Sequence, residues 1–166
     1  YLSQAGAEEK KDFIIDLLNR LKKVKASGVV IDWEEVDAGS DNELSTFVAE
    51  IATELKSEGL ETWLCITMDA SFSNWDFEKL VPHVGRFIAL LHDQNGETDK
   101  PGPIASNDWV DGWLQVINNC SKPEQWIASL GCHGMDWVVG STEAEEISFP
   151  DAMSRAGNAG CQDLRF

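Results

Sequence analysis

The chain has 166 residues, of which 13 are basic and 29 acidic, so its formal net charge is −16. Nucleic acids and anionic membrane surfaces are held by basic residues, so this charge argues against both partners. Apolar residues make up 43% of the chain and charged residues 25%, which is ordinary for a globular domain and excludes disorder. We expect one domain over residues 1–166, and no apolar run approaches the roughly 20 residues that cross a membrane.

Helix-like and strand-like segments alternate along the chain. Apolar residues at three-and-four spacing predict a helix over 7–24, and Val29-Val30-Ile31 predicts a buried strand that continues through Glu34. Further helices are predicted over 41–58 and 107–118, a short helix or turn over 75–81, and further strands over 62–68, 86–92 and 126–131. Beyond Val139 the pattern fades, so residues 140–166 are expected to be irregular, with a loop or irregular helix over 143–146 and 151–160, the first of them acidic.

Strands separated by helices imply parallel pairing with right-handed crossovers. A strand and a helix in about 30 residues is typical of a β/α barrel or of a doubly wound sheet. No Gly-x-Gly-x-x-Gly or phosphate-binding loop follows a predicted strand, which disfavours nucleotide binding. Since a complete eight-stranded barrel needs about 250 residues, the sequence predicts an α/β fold that is either a compact open sheet or part of a barrel.

Two acids follow the first predicted strand. Side chains alternate between the faces of a strand, so Val30, Asp32 and Glu34 share one face. The Cα atoms of the two acids would lie about 6.6 Å apart, at the strand end where α/β folds place their chemistry. Such a pair suits a general acid beside a charge-stabilising partner. The alternative is that both acids only cap the next loop, although two buried acids without a use are costly.

The stretch Ser27-Gly28-Val29-Val30-Ile31-Asp32-Trp33-Glu34 resembles the active-site motif of glycoside hydrolase family 18, the chitinase family, which reads Asp-Gly-x-Asp-x-Asp-x-Glu. Asp32 and Glu34 match its last Asp and its Glu, whereas Ser27 and Val30 replace its first two Asp residues. Leu90-Leu91-His92-Asp93 stands where the family has Met-x-Tyr-Asp, so His92 replaces the Tyr.

Later segments extend the resemblance over residues 8–139. They are similar to a bacterial branch in which a family-18-like domain is joined to a polysaccharide deacetylase and a family-2 glycosyltransferase in one membrane protein. These segments are Gln94-Asn95, Pro101-Gly102-Pro103-Ile104-Ala105-Ser106, Leu130-Gly131 and Asp136-Trp137. The resemblance therefore implies the extracytoplasmic face of a bacterial envelope protein.

The resemblance implies a partial (β/α)8 barrel holding about its fourth to seventh strands. It also implies retaining cleavage of N-acetylglucosamine polymers without a cofactor, in which the substrate's own acetamido group attacks the anomeric carbon. By position, Glu34 would protonate the leaving oxygen and Asp32 would stabilise the acetamido group. His92 would donate a hydrogen bond to the acetamido oxygen, and Asp93 would help to bind the sugar.

Val30 removes the carboxylate that the family places beneath Asp32 and leaves that acid on an apolar floor. Two alternatives to an enzyme follow, namely a catalytically degraded barrel that binds a glycan for attached enzymatic domains, and a structural piece without a ligand. A half barrel also exposes strand edges. We therefore expect the chain to pair with a copy of itself through its open edge, or to have lost the remainder by cleavage.

Other residues have competing interpretations. Trp109 and Trp137 could stack on sugar rings or pack in the core. His92, Asp93, His133 and Asp136 could converge on a metal, but no His-x-His or His-Glu-x-x-His spacing supports this, so no metal is expected. The four cysteines lack a Cys-x-x-Cys pair and favour free thiols over a disulfide framework.

Overall fold

The structure, a computed structural model, describes residues 6–33, 41–96, 100–138, 140 and 143–160. The helices are α1 (Ala7–Val24), α2 (Asp41–Ser57), α3 (Phe77–Leu80), α4 (Asn107–Cys120) and α5 (Phe149–Asn158). The strands are β1 (Gly28–Ile31), β2 (Glu61–Thr67), β3 (Arg86–Leu91), β4 (Trp126–Leu130), β5 (His133–Trp137) and β6 (Ala144–Ser148). Short 3₁₀ turns cover Ala70–Asn74 and Pro123–Gln125.

Four strands form one sheet in the order β1-β2-β3-β4. Strand β2 pairs in parallel with β1 on one side and with β3 on the other, so that Trp63 is level with both Val30 and Arg86. Strands β5 and β6 form a separate antiparallel pair. The predicted α/β fold with a parallel sheet is confirmed.

The sheet has one face covered by helices and one left open. Leu64 and Ile66 of β2 are fully buried together with Phe47 and Leu55 of α2, because alternate side chains of a strand share one face. The intervening residues form the uncovered face, which we define as Val30, Trp63, Cys65, Thr67, Ile88 and Leu90. All of these are at least partly exposed except Cys65, which is buried. The chemistry expected at β1 lies on this uncovered face.

The chain divides into two compact units. The first takes in described residues within 1–90 and 113–128, and the second takes in those within 91–112 and 129–166. The sequence predicts a single domain. The boundaries between the two units fall inside β3, α4 and β4, so no linker in the sequence marks them. Each unit is therefore considered by itself below.

The expectation that residues 140–166 are irregular is wrong for Ala144–Ser148, which forms β6. Phe149–Asn158 forms the regular helix α5, where the sequence predicts a loop or an irregular helix over 151–160. Strand β6 contains two adjacent glutamates and few apolar residues, so its sequence lacks the alternation of apolar and polar residues that predicts a strand. It is a strand because it pairs with β5. Helix α5 is set by its start, where the Ser148 hydroxyl accepts a hydrogen bond from the Asp151 amide at 3.3 Å.

Strand β1 differs from its predicted extent, whereas the described cysteines agree with the prediction of free thiols. Strand β1 ends at Ile31, so Asp32 and Trp33 lie just beyond it, and the predicted continuation to Glu34 passes outside the described residues. Cys65, Cys120 and Cys132 are free thiols, and burial raises the pKa of Cys120. Within the described ranges, no helix has the length and apolar character needed to cross a membrane.

Candidate functional site

Asp32 lies immediately past the carboxyl end of β1. Its neighbours Ile31 and Trp33 turn toward the helices, since Ile31 is buried and the Trp33 ring stacks on Phe47 with centroids 6.4 Å apart and planes 12° apart. Asp32 is exposed, and Val30, two residues earlier, is 48% exposed. Alternation about buried Ile31 therefore places Asp32 on the uncovered face, as the sequence predicts. Its predicted partner Glu34 lies outside the described residues.

The surface beneath Asp32 is apolar. Val30 is paired across to Trp63, and Cys65, which follows the β2 partner of Ile31, is buried. The Trp63 indole nitrogen donates to the Glu61 carboxylate at 2.8 Å, which directs the polar edge of that ring toward the amino end of the strand. Among the described residues beneath Asp32, Val30, Trp63 and Cys65 carry no carboxylate.

His92 and Asp93 follow β3 and belong to the second unit. The His92 Nδ1 atom lies 2.9 Å from the Asp93 Oδ1 atom, and the two side chains are 24% and 52% exposed. The His92 ring meets the His133 ring edge-on, with centroids 6.1 Å apart. The His92 imidazole is therefore mostly buried, and its Nδ1 atom lies within hydrogen-bond distance of the Asp93 carboxylate.

Gly131 permits the close approach around His92. A Cβ atom at Gly131 would lie 2.9 Å from the His92 Cβ atom and 2.8 Å from the Ile104 Cδ1 atom. Distances under 3.0 Å are not compatible with a side chain unless something shifts. The missing side chain of Gly131 therefore fixes how near His92 and Ile104 come to this strand end.

Gln94 and Asn95 close the loop after Asp93. The Gln94 backbone amide donates to the Ile104 carbonyl at 2.9 Å, and the Gln94 side-chain oxygen accepts from the Ser106 backbone amide at 2.7 Å. The Asn95 side chain donates to the Pro103 carbonyl at 2.7 Å. These bonds hold the ends of the loop close together just before α4 begins.

Trp109 and Trp137, the two proposed sugar platforms, lie on different elements of the second unit. Trp109 is the third residue of α4, and its backbone amide donates a 3.4 Å hydrogen bond to the Ser106 hydroxyl oxygen at the helix start. Trp137 ends β5 opposite Ala144. Both are half-buried, so each combines packing with some accessible ring surface.

Asp136 is engaged by a side chain from α5. Its carboxylate accepts from Arg155 at 2.5 Å, and Arg155 also donates to Glu145 at 3.0 Å. These hydrogen bonds, first to Asp136 and then to Glu145, raise the pKa of Arg155. Among the residues that the structure describes, no group of three or more His, Cys, Asp or Glu is arranged to hold a metal ion.

Sequence reasoning did not identify Gly131 or Arg155 as site-supporting residues. Gly131 is the last residue of a predicted strand, and a glycine there is a usable signal of close backbone approach. Arg155 gave no signal, because its partners Asp136 and Glu145 are 19 and 10 residues away in sequence. Its role follows only from the tertiary fold.

Comparisons with known proteins agree with the sequence resemblance. The curated protein named uncharacterized glycosylase YvbX, from Bacillus subtilis (strain 168), is 26% identical over 142 residues, which cover 80% of this chain and 41% of that protein. The spore cortex-lytic enzyme SleL of Bacillus cereus superposes with a TM-score of 0.85 at 19% identity, over 97% of this chain and 38% of SleL. A chitinase from Chromobacterium violaceum ATCC 12472 gives 0.83 at 18% identity, over 92% and 50%.

These likenesses concern the fold. The predicted resemblance to chitinases and related glycosidases is confirmed, and the chain has their fold over more than nine-tenths of its length. No protein-family model matches the chain. The chain spans half of the chitinase and less of SleL and YvbX.

Proposed function

We propose that the chain forms strands four to seven of a (β/α)8 barrel. We further propose that it carries the catalytic acids, Asp32 and Glu34, of a glycoside hydrolase site for N-acetylglucosamine polymers. The observation that carries this proposal is the position of Asp32, exposed directly beyond a parallel strand while its neighbours Ile31 and Trp33 pack toward the helices. Catalytic groups in β/α barrels come from this end of the strands. The folds shared with a chitinase and a cortex-lytic enzyme support the same reading.

The proposed reaction is retaining and substrate-assisted. The acetamido oxygen of the sugar attacks the anomeric carbon while Glu34 donates a proton to the departing glycosidic oxygen, and a cyclic oxazolinium ion forms. Asp32 stabilises the positive charge that develops on the acetamido nitrogen. Water then attacks the anomeric carbon, Glu34 takes its proton, and the acetamido group is regenerated with net retention.

The remaining proposed residues bind rather than react. His92 contacts the acetamido oxygen, Asp93 contributes at the same strand end, and the Trp109 and Trp137 rings offer apolar faces to the C–H faces of sugars. The partner is a polysaccharide or oligosaccharide. The name of YvbX, a glycosylase, supports a carbohydrate partner.

A second candidate is a glycan-binding module without turnover, within a protein that also carries a deacetylase and a glycosyltransferase. Val30 favours it, because its exposed isopropyl group lies where the family has a second acid, and the neighbouring Trp63 and Cys65 supply none. Without that acid, Asp32 stands above an apolar floor. Binding needs only the walls of the site, so it survives a loss that turnover does not.

Replacing Glu34 by Gln in the full-length protein tests the enzyme. We expect hydrolysis of a chromogenic chito-oligosaccharide to fall by about 10²–10⁴-fold, the usual contribution of a general acid. Binding of the unlabelled oligosaccharide, measured by calorimetry, should be retained. The matched control is Glu35→Gln, which removes the adjacent acid and the same charge and should leave hydrolysis near the parent rate.

The outcomes separate the two candidates. Equal activity in the parent and the Glu34→Gln protein contradicts the assignment of the acid. Absent turnover in the parent, with oligosaccharide binding intact, supports the binding module. Neither turnover nor binding in the parent contradicts both.

A further inference from the structure

Helix α4 begins with a capping pattern that its own residues leave incomplete. The Ser106 hydroxyl accepts a hydrogen bond from the Trp109 backbone amide at 3.4 Å, and the Ser106 carbonyl accepts one from the Val110 amide at 3.0 Å. Ser106 is thus the N-cap residue and Trp109 the third residue of the helix. In a capping box, a Glu or Gln side chain at this third position accepts from the amide of the N-cap residue. The Trp109 indole N–H can only donate, so it cannot fill this role.

Gln94 supplies the missing acceptor from outside the helix. Its side-chain oxygen accepts from the Ser106 backbone amide at 2.7 Å, in a part-buried hydrogen bond that joins residues 12 positions apart. The first amides of a helix have no partner within the helix and need one elsewhere. Gln94 therefore does for the N-cap amide of α4 what the third helical residue does in an ordinary capping box.

Helix α1 shows the ordinary arrangement in the same chain. There the backbone amide of the N-cap residue Gly6 donates to the carboxylate of Glu9 at 3.0 Å, and Glu9 is the third residue of that helix. A glutamate at position 109 would be able to cap α4 in the same way. The start of α4 therefore gives no reason for a tryptophan at this position, and the reason has to lie in what the ring contacts.

We propose that Gln94 is a positioning residue for the Trp109 sugar platform; this inference rests on the proposed function. By completing the cap from the loop, Gln94 leaves the third helical position to an aromatic ring and still fixes the first turn of α4. Gln94 also follows Asp93 directly in the chain. One hydrogen bond therefore ties the turn that carries Trp109 to the end of β3, where His92 and Asp93 are proposed to bind the acetamido-bearing sugar.

Contacts around Gln94 hold the two ends of this connection in place. The Gln94 backbone amide donates to the Ile104 carbonyl at 2.9 Å, and the Asn95 side chain donates to the Pro103 carbonyl at 2.7 Å. A Cβ atom at Gly102 would lie 2.7 Å from the Asn95 side-chain nitrogen, so the returning chain passes very close to Asn95. All of these residues belong to the second unit. The loop therefore returns Ser106 to the side chain of Gln94 over several contacts.

The binding experiment uses the full-length protein with Glu34→Gln, so that turnover does not complicate it, and measures chito-oligosaccharide affinity by calorimetry. Gln94→Met keeps the side-chain length but removes the acceptor, and we expect it to weaken binding about two- to tenfold, the scale of one hydrogen bond. Gln94→Glu keeps an acceptor and places a negative charge at a helix start, where it is favourable, so it should restore the parent affinity. The matched control Gln125→Met removes a 3.2 Å bond to the Val81 carbonyl in the first unit and should leave affinity unchanged.

A role that acts through Trp109 has its own readouts. Trp109→Ala should weaken binding at least as much as Gln94→Met, and the two changes together should weaken it no further than Trp109→Ala alone. In the ligand-free protein, the indole ¹⁵N–¹H resonance of Trp109, assigned by its absence in Trp109→Ala, should shift in Gln94→Met and stay in place in Gln94→Glu. The Ser106 amide of the parent should be protected from hydrogen exchange, which tests the cap without any variant.

Each outcome bears on the proposal. Unchanged affinity in Gln94→Met, or equal weakening by Gln94→Met with and without the Trp109 ring, overturns the positioning role and leaves the proposed function standing. A Ser106 amide that exchanges freely overturns it even where Gln94→Met does not fold. No binding by the parent overturns the proposed function and this inference with it. Weaker binding in Gln94→Met that Gln94→Glu restores and Trp109→Ala abolishes supports both.

Discussion

Different kinds of contact stabilise each of the two compact units internally. In the first unit, the described core includes Phe47, Ile51, Leu64, Ile66 and Phe87, all with no exposed surface. In the second unit, the described apolar side chains buried to that degree are fewer, and specific polar bonds are prominent. Those bonds involve His92 with Asp93, Gln94 with Ser106, Asn95 with Pro103, and Arg155 with Asp136 and Glu145.

The difference teaches where stability and recognition lie in this chain. Apolar burial is non-directional and tolerates approximate geometry, whereas hydrogen bonds and ion pairs fix orientation. The first unit therefore supplies the scaffold that presents Asp32. In the second unit, hydrogen bonds fix the orientations of His92 and its neighbours.

The largest expected effect is loss of core packing in the first unit. Phe47→Ala removes a ring that contacts Phe13 and Trp33 with centroids 5.8 Å and 6.4 Å away, and we expect it to lower the free energy of unfolding by about 3–5 kcal/mol. Urea denaturation followed by tryptophan fluorescence measures this. The matched control Phe149→Ala removes a phenylalanine that is 58% exposed and should cost less than about 0.5 kcal/mol. Similar losses for both variants would contradict the contrast.

A smaller loss of stability is expected at Gly131, where the second unit is tightly packed. Gly131→Ala inserts a Cβ atom 2.9 Å from the His92 Cβ atom and 2.8 Å from Ile104, so we expect a loss of about 1–3 kcal/mol from overpacking. The His92 ring resonances should shift as well. The matched control is Gly134→Ala, whose Cβ atom would meet only Ile147 at 4.0 Å and should leave those resonances in place. An unshifted His92 in Gly131→Ala would show that the glycine does not position it.

The smallest expected effect concerns the ion pairs of Arg155. Arg155→Met removes both bonds to the β5–β6 pair, and because the groups are about half exposed, water and salt weaken the loss. We expect faster amide hydrogen exchange in β6 at low salt and a difference that disappears near 1 M salt, where the Debye length is about 3 Å. Arg20→Met, which breaks an exposed pair with Asp16 on α1, should not change exchange in β6. A difference that persists at high salt would indicate packing rather than charge.

The same contrast explains what the sequence could predict. In the first unit, the periodic apolar residues predicted α1 with its observed bounds and predicted β2 within one residue, because burial imposes a regular pattern. In the second unit, β5 and β6 were missed, and α5 was predicted only as a loop or an irregular helix. Pairing between polar strands and the bridge made by Arg155 leave no period in the sequence. The motif ending at Asp32 was recognisable because strand alternation is local, whereas the bond that directs His92 toward Asp93 needed coordinates.

The closure of the loop after Asp93 by Gln94 has an evolutionary consequence. Gln94, at the start of the loop, makes two hydrogen bonds to its end. Its backbone amide donates to the Ile104 carbonyl, and its side-chain oxygen accepts from the Ser106 amide, so these bonds act as anchors for the loop. We therefore expect exchanges between the anchors to be tolerated first where they keep Gln94 and the bond from Asn95 to the Pro103 carbonyl, because surface loops tolerate change better than the elements they connect.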